Sequence, residues 1–212
     1  MEYLVTSIRE LTSKRRLVYI NEERAFALYA GELKKYNIHQ GECIPVDVYT
    51  EIISVLSRRA TIRGMNLLKS KDYTEAEFKK KLRDGYYPAE AVEAALSYVR
   101  EYGYIDDERY AQNYVAFKAG SKSRRMVQVF LTNKGVSAQI IESVCDEYYN
   151  EHADSELKQI VSQLEKKCRN ISINSMKYNE RQKLKAYFYR KGFRCEVIDS
   201  AMDLVSKYQE QS

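Results

Sequence analysis

The chain has 212 residues, 31% of them charged and 44% hydrophobic, with a formal net charge of +5. No apolar run approaches the roughly 18 residues that a membrane span needs, and the opening MEYLVTSIRELTSKRR lacks the basic, apolar, small-residue order of a secretory signal. These properties argue against a membrane-spanning or secreted protein and predict a soluble, cytoplasmic chain long enough to bury a sizeable core.

In chain order, residues 1–57 carry short β-prone runs, VTSI, RLVYI and AFALY, separated by the polar turns TSK and NEER. They predict a small β-rich head with a short helix at GELKKY, then a loop, IHQGECIPVD, before a helical pattern that starts near Asp47. From Arg58 onward apolar residues recur at three and four, and Pro88 is the only proline. The segments LRDGYYPAEAVEAALSYV, LTNKGVSAQIIESVCDEY and FYRKGFRCEVIDSAMDLV align with offsets of 49 and then 57 residues. Matching positions hold Leu82, Leu131 and Phe188; Tyr87, Val136 and Phe193; Val92, Ile141 and Ile198; Leu96, Cys145 and Met202; Val99, Tyr148 and Val205. Phe78, Val127 and Leu184 match upstream.

The expected fold is therefore mainly α: three tandem three-helix-type modules forming an elongated arc behind the β-rich segment. The expected bounds are 58–106, 107–152 and 153–212. Thr74 and Glu77 form a capping box at one helix start, and Ser123 takes the place of Thr74 in the second module. In the third module that place falls to Glu180, with Asn179 beside it, so a cap shifted by one residue is expected. Gly135 and Gly192 supply the permissive backbone for the corner between helices. Module one has Tyr86 there, after Gly85, which predicts a corner different in detail. The eight extra residues of the third spacing are expected around RNISINSMKYNE.

The acidic stretch GYIDDERYAQNYV looks at first like a metal or acid/base site. With Asp106 as N-cap, Asp107 and Glu108 instead occupy the first helical turn, where carboxylates meet exposed N–H groups and the positive end of the dipole. Ile105 and Tyr110 then take the two staple positions. Consecutive residues at a helix start splay apart, whereas metal ligands must converge. Cys43, Cys145, Cys168 and Cys195 are scattered without a CxxC pair, and His39 and His152 are the only histidines, so neither metal nor cofactor is expected. The thiols read as buried and reduced. No phosphate-binding glycine loop and no nucleophile with a plausible base is present, so an enzyme is the least supported class. Tyr86, Tyr87, Tyr98, Tyr102, Tyr104, Tyr110 and Tyr114 have the chemistry to stack on bases, but core spacing makes packing the expected role of most.

Charge is unevenly distributed. Between Arg109 and Ile141 there is no carboxylate, while Arg109, Lys118, Lys122, Arg124, Arg125 and Lys134 all fall inside that window. Either these residues solvate helix faces, or they meet a negatively charged partner.

GYIDDERYAQNYV resembles the signature that opens the second repeat of RecX proteins, regulators of the RecA recombinase. The similarity extends over nearly the whole chain: the β-prone head, the LL at 67 and 68 followed by TEAEFKKKL, the FLTNKGVS corner and a divergent third repeat. The resemblance implies a non-enzymatic modulator, usually inhibitory, that lies in the groove of RecA filaments on single-stranded DNA. It would affect ATP hydrolysis, coprotease action and strand exchange in recombination and SOS repair. On this reading the six basic residues of the window contact RecA carboxylates or DNA phosphates, joined in module three by Arg181, Lys185, Arg190 and Lys191. A monomer is expected. Direct DNA binding without RecA, or a helical scaffold for another partner, are the rival readings.

Overall fold

The β-prone runs of the head pair with one another in the computed structural model, which describes residues 2–168 and 172–210. Strands β1 (Tyr3–Glu10), β2 (Arg15–Ile20), β3 (Glu23–Tyr29) and β4 (Cys43–Ile44) form an antiparallel sheet in the order β3-β2-β1-β4. Val5 faces Ile20 and Val18 faces Phe26 across the ladders, so the buried residues of neighbouring strands share one face. Asn21 and Glu22 both adopt positive φ, 50° and 70°, the geometry of the tight turn that matches strand twist. Helix α1 (Ala30–Lys35) follows. The chain divides into two compact units, Met1–Asp106 and Asp107–Ser212.

In the first unit the sheet and the first module share a single core. Helix α2 (Val46–Leu68) runs without a break through residue 57, where the head was expected to end. Its buried residues Ile52, Leu56, Ala60 and Gly64 recur every four positions, and they shrink toward the C-terminus. Helices α3 (Glu75–Asp84) and α4 (Ala89–Glu101) complete the module. Phe78 of α3 lies directly over Gly64: a Cβ there would stand 2.5 Å from the ring. The bare backbone of α2 is what admits the phenyl group.

Glu32 of α1 and Arg59 of α2 form a half-buried ion pair, with the Arg59 guanidinium 5.2 Å from the Tyr29 ring centroid. The Arg59 hydrogen bonds hold the Glu32 carboxyl below its ordinary value of 4.5. A depressed folded-state value stabilises above the unfolded one and ceases to do so as pH falls through it. Glu32→Gln is therefore expected to cost about 1 kcal/mol at pH 7 in urea unfolding, and the difference from the parent is expected to shrink as pH falls below 4.5 and to vanish once it passes the lowered folded-state value. No difference at pH 7, or one that stayed constant down to the lowest pH, would assign the cost to something other than the charge of the pair.

The second unit holds two further three-helix modules, each with its own core. Helices α5 (Asp107–Lys118), α6 (Arg124–Asn133) and α7 (Ala138–Glu151) enclose Ala111, Val115, Val127, Leu131, Ile141 and Cys145. Helices α8 (Ser155–Lys167), α9 (Tyr178–Arg190) and α10 (Cys195–Glu210) enclose Ile160, Leu164, Phe188, Phe193, Ile198 and Met202. Most of the repeat positions read from the sequence are thus core positions in all three modules, with Tyr87 and Leu184 half-buried against the core edge. One is displaced: at the end of α7 it is Tyr149 that is buried, with Tyr148 half-exposed.

The caps follow local chemistry with one correction. The Thr74 hydroxyl accepts from Glu77 N–H at 3.2 Å, and the Ser123 hydroxyl accepts from Met126 N–H at 3.3 Å. In module three the cap is Lys177, three residues before Glu180, whose carboxylate reaches back to the Lys177 N–H at 3.0 Å. Of the stretch assigned to the extra residues, 169–171 lies outside the described residues, and Ile173–Ser175 forms a short 3-10 turn.

The module-one corner also differs from expectation. Tyr86 adopts φ 65°, the left-handed conformation that Gly135 and Gly192 take at 80° and 87°. The residue after each corner donates back to the start of the turn, Tyr87 to Leu82, Val136 to Leu131 and Phe193 to Phe188. The corner is therefore conserved in geometry despite the side chain. Left-handed backbone costs a non-glycine residue about 1 kcal/mol, and tertiary contacts hold it here. Ala27 N–H donates to the Tyr86 carbonyl at 3.3 Å, and the Arg24 guanidinium lies 5.4 Å from its ring.

The two modules of the second unit meet along a polar seam. Ser123 Oγ donates to the Lys191 carbonyl at 2.7 Å, and the Glu156 carboxylate accepts from the Arg124 N–H at 2.9 Å. The first bond ties the end of α9 to the start of α6, and the second places a carboxylate on the exposed N–H groups of α6.

Candidate functional site

The acid-free window maps onto α5, α6 and the turns that follow each of them. Asp106 directly precedes α5, and Asp107 and Glu108 occupy its first turn. The acids start a helix. Ile105 is buried in the core of the first unit, while Tyr110 packs half-buried on the core of module two. Arg109 is exposed on the first turn. Lys118 is half-buried, with its ammonium 4.3 Å from the centroid of Phe117, a ring that is 76% exposed.

Lys122 and Lys134 converge on one ring. Phe130 stacks on Tyr114 with centroids 4.0 Å apart, the Lys122 ammonium lies 5.6 Å from the Phe130 centroid, and the Lys134 ammonium lies 5.4 Å away. Lys122 also donates to the Tyr114 hydroxyl at 3.3 Å. Arg124 and Arg125 differ sharply despite being adjacent. The Arg124 guanidinium pairs with Asp146 and lies 5.6 Å from the Tyr149 ring, while Arg125 is exposed.

Arg124→Glu would set its carboxylate beside Asp146 and Glu156 and remove an internal tie. We expect Arg125→Glu alone to leave the melting temperature within about 1 °C of the parent, since exposed changes stay within about 0.5 kcal/mol. Arg124→Glu should lower it by several degrees, read by circular dichroism. Equal melting temperatures would contradict the assignment of Arg124 to structure.

Module three separates its cations in the same way. Lys185 pairs with Asp199 at 2.6 Å and is largely committed to the packing of α9 on α10. Arg181 is half-buried and Arg190 exposed. Lys191 donates to Gln163 Oε1 at 2.7 Å, and its ammonium lies 4.5 Å from the Tyr187 ring centroid. The sequence reading missed Lys167, whose ammonium lies 4.0 Å from the same centroid. Lys167, Lys183, Tyr187 and Arg190 line a cleft of about 490 Å³. Lys191, with Lys167 adding to it, holds the Tyr187 phenol below its ordinary value. Gly135 and Gly192 serve the corners and present no chemistry.

Burial pushes the Cys145 and Cys168 thiols up, away from thiolate reactivity. Cys43 and Cys195 are exposed free thiols, which corrects the expectation that all four are buried. Burial also raises the Tyr149 phenol and pushes Tyr49 up to about 12. Of the tyrosines with stacking chemistry, Tyr86, Tyr87, Tyr110 and Tyr114 are half-buried, whereas Tyr98, Tyr102 and Tyr104 are exposed. Those three line up with successive centroids 4.8 and 6.3 Å apart. Among the described residues no three His, Cys, Asp or Glu side chains converge as metal ligands, and no helix is long and apolar enough to cross a membrane.

Comparison with known proteins gives a consistent answer along the chain. The family model "RecX, second three-helix domain" matches residues 106–144, and "RecX, third three-helix domain" matches 154–202. The regulatory protein RecX of Caldanaerobacter subterraneus subsp. tengcongensis is 33% identical over 205 residues, which span 95% of this chain and 99% of that protein. The regulatory protein RecX of Clostridium acetobutylicum is 24% identical over 207 residues, 95% of each chain. A crystal structure of regulatory protein RecX matches at TM-score 0.62 with 22% identity, covering 96% of this chain and all of the other. One of RecX from Lactobacillus salivarius matches at 0.64 with 21% identity, covering 72% of this chain and 97% of the other. These two likenesses concern the fold.

Proposed function

The chain belongs to the RecX family, and from that premise we propose that it is a non-enzymatic cytoplasmic regulator that binds RecA and its filaments on single-stranded DNA. Its action is to restrain the recombinase, lowering ATP hydrolysis, coprotease activity and strand exchange in recombination and SOS repair. The observation that carries the reading is the similarity, over almost the full length of both chains, to a protein named as a regulator. The exposed and half-exposed cations of α5, α6 and α9 support it, because a filament on DNA offers both carboxylates and phosphates. Arg109, Lys118, Lys122, Arg125, Lys134, Arg181, Arg190 and Lys191 are the contacts proposed. Arg124 and Lys185 contribute by holding the helices that present them.

Co-sedimentation tests the reading. The protein should pellet with preformed RecA filaments on single-stranded DNA at low salt and stay in the supernatant with RecA alone at subfilament concentrations. Absence from the filament pellet would contradict it. The lysine-rich faces also favour a second reading, direct DNA binding without RecA. Strong salt dependence without sequence preference, with no effect on RecA, would identify that case.

A further inference from the structure

Helix α9 carries Lys183, Tyr187 and Arg190 at four- and then three-residue spacing, so the three side chains share one face. That face lines the cleft of about 490 Å³, which Lys167, from the last turn of α8, also lines. Met176 and Leu184 add apolar surface to it. Lys191 reaches the same ring from the turn after α9: its ammonium lies 4.5 Å from the Tyr187 centroid, and that of Lys167 lies 4.0 Å away. Contacts of this kind hold two long, flexible stems in place before any ligand arrives.

The charge of the cleft is not balanced from within. Among the described residues, no carboxylate lies within ion-pair distance of Lys167, Lys183, Arg190 or Lys191. Lys185, which does not line the cleft, is by contrast neutralised by Asp199 at 2.6 Å. Lys191 donates to a neutral group, Gln163 Oε1, at 2.7 Å. The carboxylate that does line the cleft, Glu180, accepts from the Lys177 N–H at 3.0 Å, at the opposite end of α9 from Arg190. Lys167, Lys183 and Arg190 therefore line one opening against a single acid that already serves as a helix cap.

We propose that this cleft is a site for a nucleotide that carries a phosphomonoester, the cations taking the phosphate and Met176 and Leu184 packing against the base. The choice of a nucleotide rests on the reading of the chain as a regulator of filaments on single-stranded DNA. The chemistry recognised is a terminal phosphate with its nucleoside, whether on the end of a strand or on a free nucleotide. Size points to one unit: small-molecule sites run from about 300 to 1,000 Å³, so the cleft holds a nucleotide and not a length of strand. Charge points to the monoester, which carries about two negative charges at pH 7, whereas each phosphate of the strand backbone carries one. Three lining cations facing one committed carboxylate match the doubly charged group. Most of these cations are lysines, which act on phosphate as point charges, whereas pairing with protein carboxylates favours the planar fork of arginine.

Two titrations of the full chain, without RecA, make the test. In the first, calorimetry compares thymidine monophosphate, thymidine and inorganic phosphate. In the second, fluorescence anisotropy compares internally labelled oligothymidylates that end in a 5′-phosphate, in a 3′-phosphate or in hydroxyls at both ends. The proteins are the parent, K183Q/R190Q, and a control, K158Q/K207Q, that removes two exposed charges outside the cleft. Lys183 and Arg190 are exposed, so their loss leaves the fold intact, which circular dichroism melts verify. The parent should bind thymidine monophosphate about tenfold more tightly than either fragment, and K183Q/R190Q should lose about tenfold while the control loses nothing. A matching preference for one phosphate-ended strand assigns the site to strand ends, and its absence assigns the site to the free nucleotide. Inorganic phosphate binding as tightly as thymidine monophosphate would overturn the nucleotide assignment. So would a parent that binds no thymidine monophosphate and does not distinguish the strands, or a control that falls as far as K183Q/R190Q. A RecA ATPase assay on the same proteins separates the two ideas. Suppression by a parent without terminal-phosphate binding sinks the site and leaves the function standing. Terminal-phosphate binding by a parent that leaves RecA unaffected does the reverse.

Discussion

Phe78→Ala is expected to cost about 3–5 kcal/mol of folding stability, the range for a fully buried phenyl group. Phe78 has no exposed surface and lies over Gly64, where α2 offers backbone and no side chain. Truncation therefore opens a hole that no side chain of α2 at Gly64 can fill, which places the loss toward the upper end. Gly64→Ala alone would put a Cβ 2.5 Å from the ring and should destabilise by about 1–3 kcal/mol through overpacking, despite the better helix propensity of alanine. In the double variant the new methyl occupies part of the space the ring vacates, so its cost should fall below the sum of the two. Urea unfolding of the three variants measures this. Strict additivity would mean that Phe78 and Gly64 do not share one volume, and the account of how α2 receives α3 would be wrong.

Gly192→Ala should cost about 2–4 kcal/mol, combining left-handed backbone with a clash. Its φ is 87°, and a Cβ there would meet Ser123 Oγ at 2.7 Å and Arg125 Cβ at 3.2 Å. Gly41 provides the control: its φ is 88° with nothing within 4 Å of the added atom, so Gly41→Ala should carry only the backbone cost of about 1 kcal/mol. Ser123→Ala removes both the cap of α6 and the bond to Lys191, worth about 1–2 kcal/mol. It also removes the nearest clashing atom, so the Ser123→Ala/Gly192→Ala pair should be less damaging than the sum by about 1 kcal/mol or more. Thermal melts would decide the matter. If Gly192→Ala matched Gly41→Ala, the seam between the second and third modules would carry no steric constraint.

The repeat was legible because burial enforces it. Leu82, Leu131 and Phe188 occupy one position in three helices and are all fully buried, and a helix can present such a set only at three- and four-residue spacing. Caps at Thr74 and Ser123 were legible because a hydroxyl and an N–H three residues on make a local bond. The Tyr86 corner was misread because local preference disfavours left-handed tyrosine, whereas contacts from the β3 residues Arg24 and Ala27, some 60 residues away in sequence, hold it. The commitment of Arg124 to Asp146 was hidden for a related reason: the crossing of α6 and α7 brings together residues 22 apart. Of the ten basic residues singled out, sequence supplied their sign but not their partners. Lys167 escaped because only the packing of α8 and α9 on α10 brings it to Tyr187, 20 residues further along the chain.

The most direct measurement is the single-stranded-DNA-dependent ATPase of the cognate RecA, titrated with this protein from far below to equal stoichiometry. The account predicts suppression at a small fraction of the RecA concentration, since a regulator acting on filaments affects many protomers from few binding events. Unchanged hydrolysis at equal stoichiometry, with no protein in the filament pellet, would contradict it.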